Sequence, residues 1–311
     1  MLTSLPSHYV KGDPSLKRTK RVSSVDGNHI LYHYLEKDLR EKDIWLFQML
    51  AARLFTSLGI WFSTTLYARI PILLPFAVRD PSCRPKKTGE VDQWGAPNAS
   101  GYFRDDNSLV KGLPKSLRIK APQNPLYHGR AVGGGFVAAH VWRGLEGSSD
   151  VVQLSTRDAL TNTFIPNLVW LPIQVAKLTD REGSFAQSYL QALAIKIYRH
   201  VPVARGVRPM VEQAWQKLPN PAGVPSNGLP EPGELAYFEE TARFLFRRYG
   251  TISTVRAALD RVADGRRPKG KVISSRYTKG LPQLKPDSVS ELREMLGILL
   301  QEVDVSGKLS Q

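Results

Sequence analysis

From Leu54 to Ala68 the chain carries no charged residue, and the surrounding stretch, Ile44 to Val78, is rich in Leu, Ile, Phe and Trp. This segment constrains the fold more than any other. A membrane-spanning helix needs about 20 consecutive apolar residues. The uncharged run is shorter, Arg53 and Arg69 flank it, and Pro71 and Pro75 interrupt the apolar stretch beyond Arg69. Such a segment must be covered by protein. It reads as a buried helical hairpin or as the surface of a homodimer, with no membrane involved. A peripheral scaffold built on the same segment is a further reading.

The rest of the composition is that of a folded, basic protein. The 311 residues suffice for a sizeable core and two or three domains. Lys and Arg number 43 against 28 Asp and Glu, a formal net charge of +15, and a field of that sign attracts polyanions. The single cysteine, Cys83, excludes an internal disulfide and a thiolate zinc site, which fits a reducing, cytoplasmic setting. Lys11, Lys17, Arg18, Lys20 and Arg21 are not followed directly by an apolar stretch, so no signal peptide is expected.

The expected organisation is α+β in three parts. Residues 1–80 form a helical N-terminal region with a basic arm, 85–205 a strand-containing core, and 206–311 a helical, basic C-terminal region. Within the first, residues 33–69 read as helix, since Leu35, Leu39, Leu46, Leu50, Leu54 and Leu58 recur near helical spacing. In the core, Phe136 to Trp142 read as a strand after a glycine turn. Phe164 to Leu171 read as a second extended segment, which Pro166 should keep from the middle of a sheet. Helices are expected at Ser184–His200, Glu234–Tyr249, Ile252–Val262 and Ser288–Val303, with Leu235, Phe238, Ala242, Leu245 and Phe246 as the inner face of the second.

The stretch most suggestive of chemistry contains Ala138-Ala139-His140-Val141 and then Asn167-Leu168-Val169-Trp170-Leu171, followed by a helix. This order resembles the HNH, or ββα-metal, nucleases, over about residues 135–182. There a histidine ends the first strand of a hairpin, an asparagine opens the second, and a helix supplies a metal ligand. The resemblance implies a ββα-metal-like hairpin-plus-helix core. It also implies a divalent-metal-dependent endonuclease, of restriction or defence type, that hydrolyses DNA phosphodiester bonds with Mg²⁺ or Mn²⁺. His140 then matches the general base, Asn167 the residue that orients it and pins the loop, and Arg143 a contact to the scissile phosphate. Asp180 is the expected helix-side ligand, with Glu182 close to it, and Asp158 and Asp150 in the intervening loop are weaker candidates. The chain departs from the pattern at Ala139, where the family commonly has an acid, and at Ala176 and Lys177, where its helix histidine would fall.

Histidine suits the role because it is neutral near pH 7 and can take a proton from water, while a cation stabilises charge growing on the phosphate. Other readings of the same residues stay open. His140 can be a metal ligand or a hydrogen-bonded core histidine, Asn167 a turn or cap residue, and Asp180 an N-cap or ion-pair partner.

Two basic stretches bear on nucleic acid. Arg104, Lys111, Lys115, Arg118 and Arg130 are interleaved with Tyr102, Phe103 and Tyr127, a composition that can grip phosphates and stack on bases. Arg266, Arg267, Lys269 and Lys271 form a run with no acid between Asp264 and Asp287. The competing function is therefore non-catalytic binding of DNA or RNA through this C-terminal run. The helix pair from Glu234 to Val262 is a weaker candidate for a helix-turn-helix reader. Cys83, in a Pro-rich stretch with no nearby His, is a poor nucleophile, and Gly133-Gly134-Gly135 precedes a strand rather than opening a helix, so it is no phosphate loop.

Overall fold

In the computed structural model, residues 41–85, 89–147, 153–179, 184–221, 223–224 and 228–304 are described, with 41–44 and 302–304 described by backbone alone. The chain falls into two compact units, Met1–Trp45 and Leu46–Gln311. Of the first only the opening of a helix is described, and the second holds the sheet and its helices.

The elements, in chain order, are α1 (Glu41–Leu58), β1 (Ile60–Phe62), α2 (Thr64–Arg69), β2 (Ala77–Arg79), β3 (Phe103–Asp105), α3 (Ser108–Gly112), β4 (Arg118–Lys120), β5 (Phe136–His140), β6 (Leu168–Pro172), α4 (Ile173–Ala176), α5 (Phe185–Tyr198), α6 (Arg208–Gln216), β7 (Ala236–Glu239), α7 (Ala242–Ala263), α8 (Gly270–Ile273) and α9 (Pro286–Asp304). The chain is α+β, as expected. Five strands form one mixed sheet in the order β4-β7-β1-β6-β5, and β2 and β3 pair in parallel beside it.

The apolar run is the middle of the molecule. Ile60, Trp61 and Phe62 are fully buried, and β1 lies between β7, parallel, and β6, antiparallel. Phe62 packs edge-on to Trp170 at 5.1 Å and against Phe238 at 5.2 Å, so one aromatic cluster joins three central strands. Helix α5 covers this region through Trp61–Tyr198 packing, and the Tyr198 hydroxyl donates to the Phe62 carbonyl at 2.6 Å.

Several expectations need correction. The expected helix over 33–69 is interrupted. α1 ends at Leu58, where the Gly59 N–H closes on the Phe55 carbonyl at 2.9 Å, and a Cβ at Gly59 would meet that oxygen at 2.6 Å. The segment then enters the sheet instead of forming a hairpin, so most of residues 60–78 are buried and cannot serve as a dimer surface. Positions 33–40 of that expectation, and the basic arm, lie outside the described residues.

The three-part division is not that of the fold. β1 comes from the first part, β4, β5 and β6 from the second and β7 from the third, yet they share one sheet. β6 is an interior strand in spite of Pro166, because that proline sits in a 3-10 turn, Ile165–Asn167, ahead of the ladder.

The expected pair of C-terminal helices is also revised. Ala236 to Glu239 is a strand whose burial alternates, and Thr241 caps a single helix by accepting from the Phe244 N–H at 3.2 Å. That helix runs through Gly250, whose propensity cost of about 1 kcal/mol is small against the packing of Phe244, Ile252, Val255 and Leu259. Phe246 is 79% exposed and belongs to no inner face. A helix-turn-helix over Glu234–Val262 is excluded by this continuity.

Candidate functional site

β5 and β6 run antiparallel, with Ala138 opposite Trp170 and His140 opposite Leu168. The chain leaves β5 at His140, makes a long excursion and returns at Asn167, and α4 follows β6 directly. The order strand, loop, strand, helix is thus realised in space.

The return of this loop is organised by Asn167, which is completely buried. Its Oδ1 accepts from the Trp142 N–H at 2.8 Å, and its Nδ2 donates to the Thr161 carbonyl at 2.9 Å and the Ser155 hydroxyl at 3.2 Å. Both amide hydrogens and one lone pair are therefore used to hold the two ends of the loop to its middle. Among the described residues no hydrogen bond joins Asn167 to the His140 ring.

The ring is held by another asparagine. His140 Nε2 lies 3.0 Å from the Asn162 carbonyl oxygen. A carbonyl only accepts, so Nε2 carries the proton and Nδ1 presents its lone pair. Nδ1 makes no hydrogen bond among the described residues, and His140 as a whole is half-buried. Asn162 is fixed in turn by its Nδ2, which donates to the Ala77 carbonyl of β2 at 2.9 Å, while its Oδ1 is buried without a partner. Burial first, and the positive charge of exposed Arg79 second, push the His140 pKa down to about 4, against the opposing pull of Asn162. The imidazole is neutral across the physiological range.

Asp158 needs correction as a metal ligand. Its Oδ1 accepts from the Leu160 and Thr161 N–H groups, each at 3.0 Å, and its Oδ2 is paired with Lys217. These bonds make it the organiser of the turn into Thr161-Asn162-Thr163. Asp180, Glu182 and Asp150 lie outside the described residues. Among the described residues no group of three or more His, Cys, Asp or Glu side chains could hold a metal ion. Arg143 is exposed just beyond β5, with its carbonyl accepting from the Ser155 N–H at 2.8 Å.

The basic candidates divide. Arg104 is half-buried, donates to the Pro97 carbonyl at 3.1 Å and lies 3.8 Å from Asp80, so it belongs to the framework of β2 and β3 rather than to a phosphate-facing surface. Lys115, Arg118 and Arg130 are exposed and Lys111 is partly so. Arg118 and Arg130 stand together where the Ile119 N–H bonds the Arg130 carbonyl at 2.8 Å. Arg266, Arg267, Lys269 and Lys271 are exposed after α7, with Arg266 paired to Asp264. Cys83 is buried, and burial first, then Asp106, Asp105 and Asp80, push its thiol up to about 11. None of the described helices is long and apolar enough to cross a membrane.

Asn162 and Asn107 are the residues around the end of β5 that pattern reading overlooks. Asn107, in the left-handed region at φ 78°, donates from Nδ2 to the Ala138 carbonyl of β5 at 2.9 Å. A signal for Asn162 exists in the run Thr161-Asn162-Thr163, three polar residues between Leu160 and Phe164, all three buried. No protein-family model, curated protein or solved structure matches the chain.

Proposed function

We propose that the protein is an endonuclease of the HNH kind, acting on DNA in a reducing compartment such as the cytoplasm, with His140 as its general base. The observation that carries this reading is the Nε2 contact to the Asn162 carbonyl at 3.0 Å, which leaves Nδ1 as a fixed, unprotonated acceptor at a strand end. In the reaction, Nδ1 takes a proton from water as the water oxygen bonds to phosphorus. The bond from phosphorus to the leaving sugar oxygen breaks, and that oxygen takes a proton from solvent. Arg79, exposed and electrostatically coupled to the ring, and Arg143, three residues beyond it in the chain, would meet the phosphate.

Mg²⁺ or Mn²⁺ would draw its carboxylates from Asp180 and Glu182, and the described residues alone do not provide a ligand set. Bound, the cation would stabilise charge on the phosphate. The proton transfer to Nδ1 belongs to the chain itself.

Plasmid digestion with Mg²⁺ or Mn²⁺, comparing the wild-type protein with His140→Ala, tests the assignment. Loss of about a hundredfold or more in rate is expected for a removed general base. Equal cutting by both proteins removes His140 from the chemistry. The acid limb of kcat/KM should fall near the free-enzyme value of about 4, and that of kcat higher, because bound phosphate favours the protonated ring.

The exposed run of Arg266, Arg267, Lys269 and Lys271 favours a second reading, a binder that needs neither metal nor His140. Salt-sensitive binding unchanged in His140→Ala, with no cleavage by either protein, would select it.

A further inference from the structure

One open cleft is lined on one side by α3 and the 3-10 turn Leu113–Ser116, and on the other by α7 from Phe244 to Thr251. Its volume, about 580 Å³, is in the range of small-molecule sites. Its lining includes Arg247 and Arg248 and contains no acidic side chain. Asn107 ties the first wall to β5 through the Ala138 carbonyl at 2.9 Å, and Lys111 and Lys115 belong to that wall.

Arg248 is the unusual member. Its Nη1 donates to the Leu73 carbonyl and its Nη2 to the Thr251 hydroxyl, both at 3.3 Å, and no carboxylate pairs with it among the described residues. The Thr251 hydroxyl donates to the Arg247 carbonyl at 2.9 Å, so its oxygen is turned to accept from the guanidinium. Burial lowers the Arg248 pKa, yet arginine keeps its charge at any ordinary pH. Half-buried, the cation is partly withdrawn from water at a cost and without a counter-charge, and Nε and two further N–H groups make no bond to protein among the described residues. A phosphate offsets that cost best, because its oxygens match the guanidinium fork. Phosphate alone would leave the apolar part of the cleft, formed by Leu109, Leu113 and Phe244, without a partner.

We infer that this cleft binds one nucleotide unit, with Arg247 and Arg248 on the phosphate and Leu109, Leu113 and Phe244 against the base. His140 is not among the residues that line the cleft, and the inference does not depend on the nuclease reading. The nucleotide is either free or the terminal unit of a strand, and both present the same phosphate and base.

The test is titration of the full chain with a fluorescent N-methylanthraniloyl derivative of dAMP, with a 5′-phosphorylated deoxytrinucleotide and with inorganic phosphate. Three variants accompany it. Arg247→Gln removes an exposed guanidinium that makes no ion pair among the described residues. Arg248→Gln removes the half-buried one. Gly112→Leu fills the cleft at a position with helical angles, φ −78° and ψ −20°, where a Cβ meets nothing within 4 Å.

Saturable binding of the dAMP derivative supports a free nucleotide, and binding of the phosphorylated trinucleotide alone supports a strand end. Arg247→Gln should weaken whichever binds by about tenfold, the loss of one charge-assisted contact. Gly112→Leu should abolish it while leaving the melting temperature unchanged, so the result does not hang on whether Arg248→Gln folds. No saturable binding of either nucleotide probe, inorganic phosphate binding as tightly as both, or unaltered affinity in Gly112→Leu and Arg247→Gln overturns the assignment.

Discussion

Asn167 and His140 stand at the two ends of one loop, and they differ in how much of their hydrogen-bonding capacity the fold consumes. Asn167 is sealed, with both amide hydrogens and its oxygen committed to the loop. His140 commits Nε2 and leaves Nδ1 without a hydrogen bond among the described residues. A buried polar group that is fully satisfied contributes stability and specificity of fold, and one with capacity left over can contribute chemistry. Removing Asn167 should therefore unfold the protein more readily, and removing His140 should leave it folded and, on the proposed nuclease reading, inactive.

The largest effect is expected at Asn167. Asn167→Ala leaves the Trp142 N–H buried without a partner, reduces the Thr161 carbonyl to a long bond of 3.4 Å from the Phe164 N–H, and opens a small cavity. The loss is about 3 kcal/mol, read as a lower midpoint in urea with an unchanged m-value. Asn167→Asp keeps the shape, removes both donors and buries a charge, so it should cost at least as much near neutral pH. Wild-type midpoints in both variants would erase the distinction between the two ends of the loop.

Next comes the pH dependence of His140. Its pKa is about 4 in the folded protein and near 6.5 when unfolded, so between these values the unfolded chain holds more protons. Stability therefore falls as pH drops through that window, with a slope from this group of up to about 1.4 kcal/mol per pH unit, and levels off below it. His140→Gln should flatten that part of the profile. An identical slope in the variant would mean that the ring is not desolvated as the fold requires.

A smaller effect is expected at Asp158, where the Lys217 pair is partly solvent-exposed. Asp158→Asn keeps an oxygen for the Leu160 and Thr161 N–H groups and loses only the ion pair, which costs about 1 kcal/mol or less. Asp158→Ala should cost more, because it frees both backbone donors as well. Equal effects of the two substitutions would show that the turn does not depend on that oxygen.

What could be read from the sequence depends on where the determining forces lie. The strand ending at His140, the segment opened by Asn167 and the helix capped by Ser184 are local patterns, and each has a residue that marks its boundary. The partner of the ring was not legible. Asn162 meets His140 only because Asp158 fixes the turn before it and its own amide reaches Ala77. β7 was obscured for a related reason. Ala236, Tyr237, Phe238 and Glu239 pair with a strand more than 170 positions earlier, Ile60↔Ala236 and Phe62↔Phe238, and such pairing overrides the helical pattern that continues into α7. The break at Gly59 was in plain view, but a glycine within a leucine-spaced run signals a helix end only when something beyond it competes for the chain. Here the competitor is the sheet.

The basic run after α7 extends the contrast to its limit, since its exposed side chains contribute almost nothing to the fold. The paired substitution Arg267→Gln with Lys271→Gln should leave stability within about 0.5 kcal/mol of wild type. Its effect should appear only in binding. If each of the two cations neutralises one phosphate, the slope of log affinity against log salt for duplex DNA becomes shallower by about 1.8. Arg266, already paired with Asp264, should contribute less than either when it is replaced. An unchanged slope in the double variant, with binding otherwise intact, would move the phosphate contacts elsewhere, to Lys115, Arg118 and Arg130 on the other basic face, and the same measurement on those three would decide it.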